Sequence, residues 1–191
     1  METKAVSGVY RHNTGKSYRV LHSTHQAVVY QALEEDCEVL TFPLADWTSQ
    51  FELLTPEQIN PLVDKIGLVF IRNRKVLMAR SLGSNIFYIP GGKRETGETD
   101  LQCLGREIYE ELGQNIIADT AQPFGIYYAQ AHNKPSGSLI KMTCYMALLT
   151  GTPKASQEIE EIAWLGHKDR NKIANAAKLI FDDLYWKGLI R

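Results

Sequence analysis

The residues best suited to chemistry lie between positions 92 and 113. They run Gly92, five residues, Glu98, seven residues, Arg106-Glu107-Ile108, one residue, Glu110-Glu111, one residue, Gly113. Thr99 with Gln102 forms a capping-box start, which predicts a helix over 99–112. At about 100° per residue, Leu101, Leu104, Ile108 and Leu112 fall on one stripe, and Glu107, Glu110 and Glu111 share an adjoining arc roughly 100° wide. Like charges three and four apart cost a helix ~0.2–0.5 kcal/mol per pair, so the carboxylates bring no structural return by themselves. A divalent cation would remove that repulsion. Clustered hard oxygen ligands with few His or Cys nearby suit Mg²⁺ or Mn²⁺ rather than zinc. Arg106, one residue before Glu107 and four before Glu110, can hold a carboxylate in place. Gly91 and Gly92, after Pro90, let backbone approach a ligand or metal where a Cβ would collide, and Glu98 is placed to tie loop to helix.

Around this segment the chain supplies strand-like runs at 66–71, 75–80, 87–89, 124–132, 139–149 and 163–165, with a turn at Asn73-Arg74. A closing helix within 168–189 places Ile173, Ala177, Ile180 and Leu184 on one face. The polar stretch from Thr55 to Pro61, with two prolines, is the best boundary. It divides the chain into a small β-rich domain at 1–56, a linker at 57–62 and a second domain at 63–191. Within the first, Thr14-Gly15-Lys16-Ser17 looks like the end of a phosphate-binding loop. That motif, however, needs Gly where Tyr10 stands and must open a helix, whereas a strand pattern follows, so a hairpin turn is expected. Tyr10, Arg11, His12 and Trp47 could present an aromatic and basic ligand surface, but in so small a module core and rim are the expected places.

An isolated Glu-Glu-Leu-Gly would read as a solvated helix face. The full pattern has a chance occurrence on the order of 10⁻⁷, with each residue type at ~5–7% of positions. It resembles the box of the Nudix hydrolase family, and the flanking strands follow that fold's order over about 63–190. The resemblance implies an α/β/α sandwich with a mixed sheet and Mg²⁺-dependent hydrolysis of a nucleoside diphosphate linked to another moiety: a nucleoside triphosphate, a damaged dNTP or an ADP-ribose-type substrate. It implies Glu107 and Glu111 as principal metal ligands, Glu110 and the Gly91 carbonyl as further ligands, and Arg106 as the orienting residue. Gly92, Lys93 and Arg94 are expected to contact substrate. The general base is Glu158, with Glu160 second, or else Glu107 or Glu111 of the box. Gln114 departs from the usual apolar residue. Residues 7–53 resemble a small uncharacterised bacterial β-domain family of barrel-like appearance, which implies no chemistry.

The 191 residues carry 21 Lys and Arg against 22 Asp and Glu, a net charge of −1 that gives no general attraction to nucleic acid or anionic membrane. No apolar run approaches the ~20 residues of a spanning helix, and the first residues show no export signal, so a cytoplasmic enzyme is expected. Cys37, Cys103 and Cys144 read as reduced core thiols. The rival to an enzyme is a nucleotide-sensing module with the same fold. Such relatives carry a decayed box, whereas here every acidic position is filled. A protein or ligand contact through the N-terminal domain and a homodimer stay open.

Overall fold

A computed structural model describes residues 5–34, 37–59, 63–131, 134–135 and 138–191. The chain divides into two compact units, residues 1–62 with 128–140, and residues 63–127 with 141–191.

In the first unit, β1 (Val9–His12), β2 (Ser17–Ser23), β3 (Ala27–Ala32), β4 (Val39–Pro43) and β5 (Phe51–Leu53) form one sheet in the order β4-β3-β2-β1-β5. The Thr14–Ser17 stretch makes the expected hairpin turn, with Gly15 at φ 90° and its N–H donating to the His12 carbonyl at 2.8 Å. Among the described residues no pairing of β4 with β5 closes the sheet into the barrel expected from sequence. The chain between them instead turns into the helix α1 (Leu44–Gln50), whose Trp47 is 1% exposed and stacks on Phe51 at 3.8 Å. Trp47, Tyr10, Tyr30, Val20, Val28 and Phe51 make this unit's core, so Tyr10 and Trp47 are packing residues; Arg11 is exposed. A single turn, α2 (Pro56–Ile59), occupies much of the expected linker, whose remainder at 60–62 lies outside the described residues.

In the second unit, β6 (Val63–Leu68) precedes the hairpin of β7 (Ile71–Arg72) and β8 (Lys75–Ser81). Asn73 and Arg74 both take positive φ, 50° and 60°, which is the backbone of a two-residue hairpin turn with the twist of its strands. After α3 (Asp100–Leu112) come β9 (Gln122–Gln130) and β10 (Leu139–Met146), whose residues 128–130 and 139–140 are counted with the first unit, then β11 (Ile159–Leu165), a 3₁₀ turn (His167–Lys172) and α4 (Asn175–Trp186). The strands make two three-stranded sheets, β6-β10-β9 and β11-β8-β7. Ile66 and Leu68 of β6 and Leu77 of β8 meet Cys103, Leu104, Ile108 and Leu112 of α3 in one core cluster. The expected strand at 87–89 is reduced to two single bridges, Tyr88 antiparallel to Ala79 and Phe87 parallel to Ile173, because the segment serves as a seam between β8 and the approach to α4. Ile173 is buried but precedes α4. The three cysteines are buried free thiols.

Candidate active site

Helix α3 is built as its sequence dictates. Thr99 accepts from the Gln102 N–H while the Gln102 side chain accepts from the Thr99 N–H at 2.9 Å, and Gly113 ends the helix in the left-handed conformation at φ 61°. Cys103, Leu104, Ile108 and Leu112 are buried, which turns the neighbouring arc of Glu107, Glu110 and Glu111 toward the loop of Pro90 to Glu98.

Arg106 is the hub of that arc. It donates from Nε to Glu98 Oε1 at 2.7 Å and from Nη2 to Glu98 Oε2 at 2.9 Å, a bidentate grip that joins loop to helix. Nη1 reaches Glu107 Oε1 at 2.8 Å and Glu110 Oε2 at 3.4 Å, and Nη2 also reaches the Lys93 carbonyl at 3.1 Å. Arg106 hydrogen bonds, with the Glu95 N–H, hold the Glu98 carboxyl down at about 2, and the same contacts raise the Arg106 guanidinium further.

The paired glycines are used differently. Gly91 lies against β6: a Cβ there would collide with the Ile66 carbonyl, and its φ of 132° disfavours a side chain. A Cβ on Gly92 would fall on the Glu107 carboxylate. Its absence is what gives that carboxylate room.

Glu111 turns inward and accepts from the Gly91 N–H at 2.7 Å. Burial pushes its carboxyl up to about 8; the Gly91 hydrogen bond pulls it down, Glu107 and Glu158 raise it, and Lys65 lowers it. Such a carboxyl is short of positive charge. Among the described residues no three acidic or imidazole groups converge as a ready-made metal cage, because Arg106 draws Glu107 and Glu110 while Gly91 holds Glu111. The donor set nevertheless fits a hard divalent cation: carboxylate oxygens on adjoining helical positions, one of them buried and underneutralised, and a glycine cradle beside Glu107.

The loop before β11 is fastened to the end of α3. Lys154 and Ser156 donate their N–H groups to the Leu112 and Glu111 carbonyls at 3.1 and 3.0 Å, and Gln157 turns the chain at φ 48°. Glu158 follows, exposed and close enough to act on Glu111. Glu160 and Glu161 both engage Arg80, at 2.7 and 2.8 Å. A register shift between Ile159 and Glu161 lets these consecutive side chains meet one guanidinium. The structure therefore sets Glu158 apart from Glu160 and Glu161, which Arg80 holds.

Arg94 is engaged by Asp100 Oδ1 at 2.6 Å and Asp64 Oδ2 at 3.8 Å, with Tyr145 donating to Asp100 Oδ2 at 2.8 Å and Lys141 to Asp64 Oδ2 at 3.3 Å. No local pattern signals this network, since its members come from β6, β10, the loop and the first turn of α3. Lys93 is exposed. On β9, Tyr127 is buried against Phe124 and Gln130 donates to the Lys134 and Pro135 carbonyls. The polar Gln114 is met by the Thr150 hydroxyl at 3.4 Å.

Residues 61–183 match the sequence model of the NUDIX domain. An ADP-ribose pyrophosphatase of Methanocaldococcus jannaschii is 28% identical over 133 residues, covering 68% of this chain and 77% of that protein. Among solved structures, a NUDIX hydrolase from Nitrosomonas europaea superposes with a TM-score of 0.55 at 18% identity, over 69% of this chain and 92% of its own. The ORF135 protein of E. coli does so with a TM-score of 0.53 at 22% identity, over 64% and 88%. Among the described residues no helix is long and apolar enough to cross a membrane.

Proposed function

Since this chain belongs to the Nudix family of pyrophosphohydrolases, with its α/β fold and mixed sheet, we propose that it cleaves a diphosphate bond in a nucleoside diphosphate linked to another moiety, ADP-ribose before nucleoside triphosphates. The observation that carries this reading is the Arg106 hub, which gathers Glu98, Glu107 and Glu110 beside the glycine loop that also receives Glu111. The M. jannaschii relative supports the order of substrates. Glu107, Glu110, Glu111 and the Gly91 carbonyl would hold Mg²⁺, or Mn²⁺ in its place. When bound, the ion neutralises the diphosphate oxygens and acidifies a water.

The protein's own groups do the rest. Arg106 fixes Glu107, and the bidentate Glu98 contact keeps Arg106 from following the substrate. Gly92 brings backbone close to the substrate, Lys93 offers it an ammonium, and Arg94, held by Asp100, keeps the loop over the first turn of α3. Glu158 takes the proton of the attacking water at its carboxylate; its neighbours are committed to Arg80. The nucleotide is then left as a monophosphate product.

The test is a screen of ADP-ribose, nucleoside triphosphates, damaged dNTPs, dinucleoside polyphosphates and nucleotide sugars with Mg²⁺ or Mn²⁺, read by phosphate release after phosphatase coupling. Highest kcat/KM on ADP-ribose is expected. No metal-dependent hydrolysis of any of them would overturn the reading.

A further inference from the structure

Of two lysines beside the carboxylates, Lys93 already faces substrate in the framework above and Lys65 has no role in it. Lys65 of β6 forms an antiparallel bridge with Lys93 of the glycine loop, so the two residues stand directly opposite each other. Side chains paired in this way leave the same face, with Cβ atoms about 4.5–5.5 Å apart. The face is set by alternation. Ile66 and Leu68 point into the core with α3, Arg94 reaches Asp100 at the start of that helix, and the missing side chain of Gly92 would point at Glu107. Lys65 and Lys93 therefore point the other way, out of the α3 core.

Like charges directly opposite on a ladder destabilise it, as like charges at helical spacing destabilise α3. Neighbouring cations are compensated: Arg94 by Asp100 and Asp64, Arg106 by three glutamates, Lys141 by Asp64, Arg80 by Glu160 and Glu161. Among the described residues, Lys65 and Lys93 form no ion pair. They also flank the site, since Ile66 donates its N–H to the Gly92 carbonyl at 2.9 Å and Gly91, pressed on Ile66, receives the Glu111 carboxylate.

We infer that Lys65 and Lys93 form a two-ammonium clamp for the diphosphate of the substrate, at the flank of the carboxylate cluster. Lys65 is the new element, a substrate-positioning residue on a strand outside the loop and helix. The inference rests on the glycine loop being the substrate site, and it is testable without turnover. Inorganic pyrophosphate is titrated calorimetrically into the metal-free full-length protein and its Lys65→Met, Lys65→Arg, Lys93→Met and double-Met variants.

Loss of one charge-assisted contact should weaken pyrophosphate about 10-fold or more in either single Met variant, further in the double, and Lys65→Arg should restore most of it. Mn²⁺ affinity should not weaken, because the carboxylates are untouched and a nearby positive charge is removed. The Lys65→Met fold should be no less stable, because a like-charge pair is relieved. In turnover, KM for ADP-ribose should rise while kcat stays within about 3-fold, the signature of lost uniform binding. Pyrophosphate affinity within about 2-fold of wild type in both single Met variants would overturn the clamp, as would a loss that Lys65→Arg fails to restore. Absence of turnover on any nucleotide would count against the hydrolase instead, with the pyrophosphate titration still deciding the clamp.

Discussion

Alanine at Gly91 and alanine at Gly92 add the same methyl group to adjacent positions, yet they should fail in opposite ways. At Gly91 the new Cβ meets the Ile66 carbonyl and lies 2.9 Å from the Gly67 Cα, both backbone atoms, and φ of 132° is itself unfavourable. Nor can the loop retreat, because Leu68 donates to the Pro90 carbonyl at 2.8 Å and Ile66 to the Gly92 carbonyl at 2.9 Å, one bond on each side. The backbone conformation costs ~1–3 kcal/mol and the overpacking a similar amount, so Gly91→Ala should lose roughly 2–6 kcal/mol of stability. At Gly92 the obstacle is the flexible end of Glu107, which can swing aside. That forfeits the 2.8 Å contact with Arg106, worth about 1 kcal/mol for a partly buried pair, against ~0.4–1 kcal/mol gained by restricting the unfolded chain. Gly92→Ala should therefore unfold within about 1 kcal/mol of wild type while turnover falls ~10²-fold, the penalty typical of an ångström-scale displacement of a reacting group. Urea midpoints at constant slope and initial rates on the best substrate of the screen read the two quantities. Equal stability loss in both variants, or a Gly92→Ala enzyme turning over like wild type, would refute the reasoning.

Other expectations follow from the same site. Glu107→Gln keeps size and helix propensity but removes charge, so a folded variant should lose ~10²-fold or more in turnover and bind Mn²⁺ more weakly, measured by titration. Glu158→Gln should cost ~10²–10⁴-fold, while Glu160→Gln and Glu161→Gln, which only loosen Arg80, should stay within a few-fold; three near-wild-type rates would move the base to the box. Glu98 ionises at about 2 rather than 4.5, so its grip on Arg106 contributes stability above pH 4.5 that is lost as pH falls toward 2. The unfolding midpoint of Glu98→Gln should accordingly lie below wild type at pH 6 and merge with it near pH 2. We further propose that a fragment of residues 63–191 folds and hydrolyses alone; it forgoes the bond from the Gln130 N–H to the Leu33 carbonyl, and an insoluble fragment would place the boundary elsewhere.

Helix α3 is legible in the sequence because its signals are local. The Thr99–Gln102 box, the stripe of Leu104, Ile108 and Leu112 and the Gly113 stop all lie within reach of one another along the chain, and all are present; only Leu101, in the first turn, stays exposed. The Arg106 contacts are local too. What escapes is whatever depends on register between distant segments. Arg80 meeting Glu160 and Glu161 needs a bulge that alternation alone does not reveal, and Lys65 facing Lys93 needs a bridge between a strand and a loop. In the N-terminal unit the strands are legible from their β-branched and aromatic content, but the same content hides α1, where Trp47 serves the core from a helix. The Phe87–Ile89 run shows the opposite error: apolar residues needed for a seam mimic a strand.

The fastening of Lys154 and Ser156 to the last carbonyls of α3 bears on how this enzyme can be lengthened or shortened by evolution or design. Each residue inserted after position 154 would advance the chain by about 3.3 Å and carry Glu158 off its mark, or else tear an amide from the helix end. The exposed run at Gly151 and Thr152, just upstream, carries no such obligation and can accept extra length. Length variation among working versions of this sequence should therefore pile up before Lys154 and stop abruptly there, and a library of random insertions selected for hydrolysis would draw that edge directly.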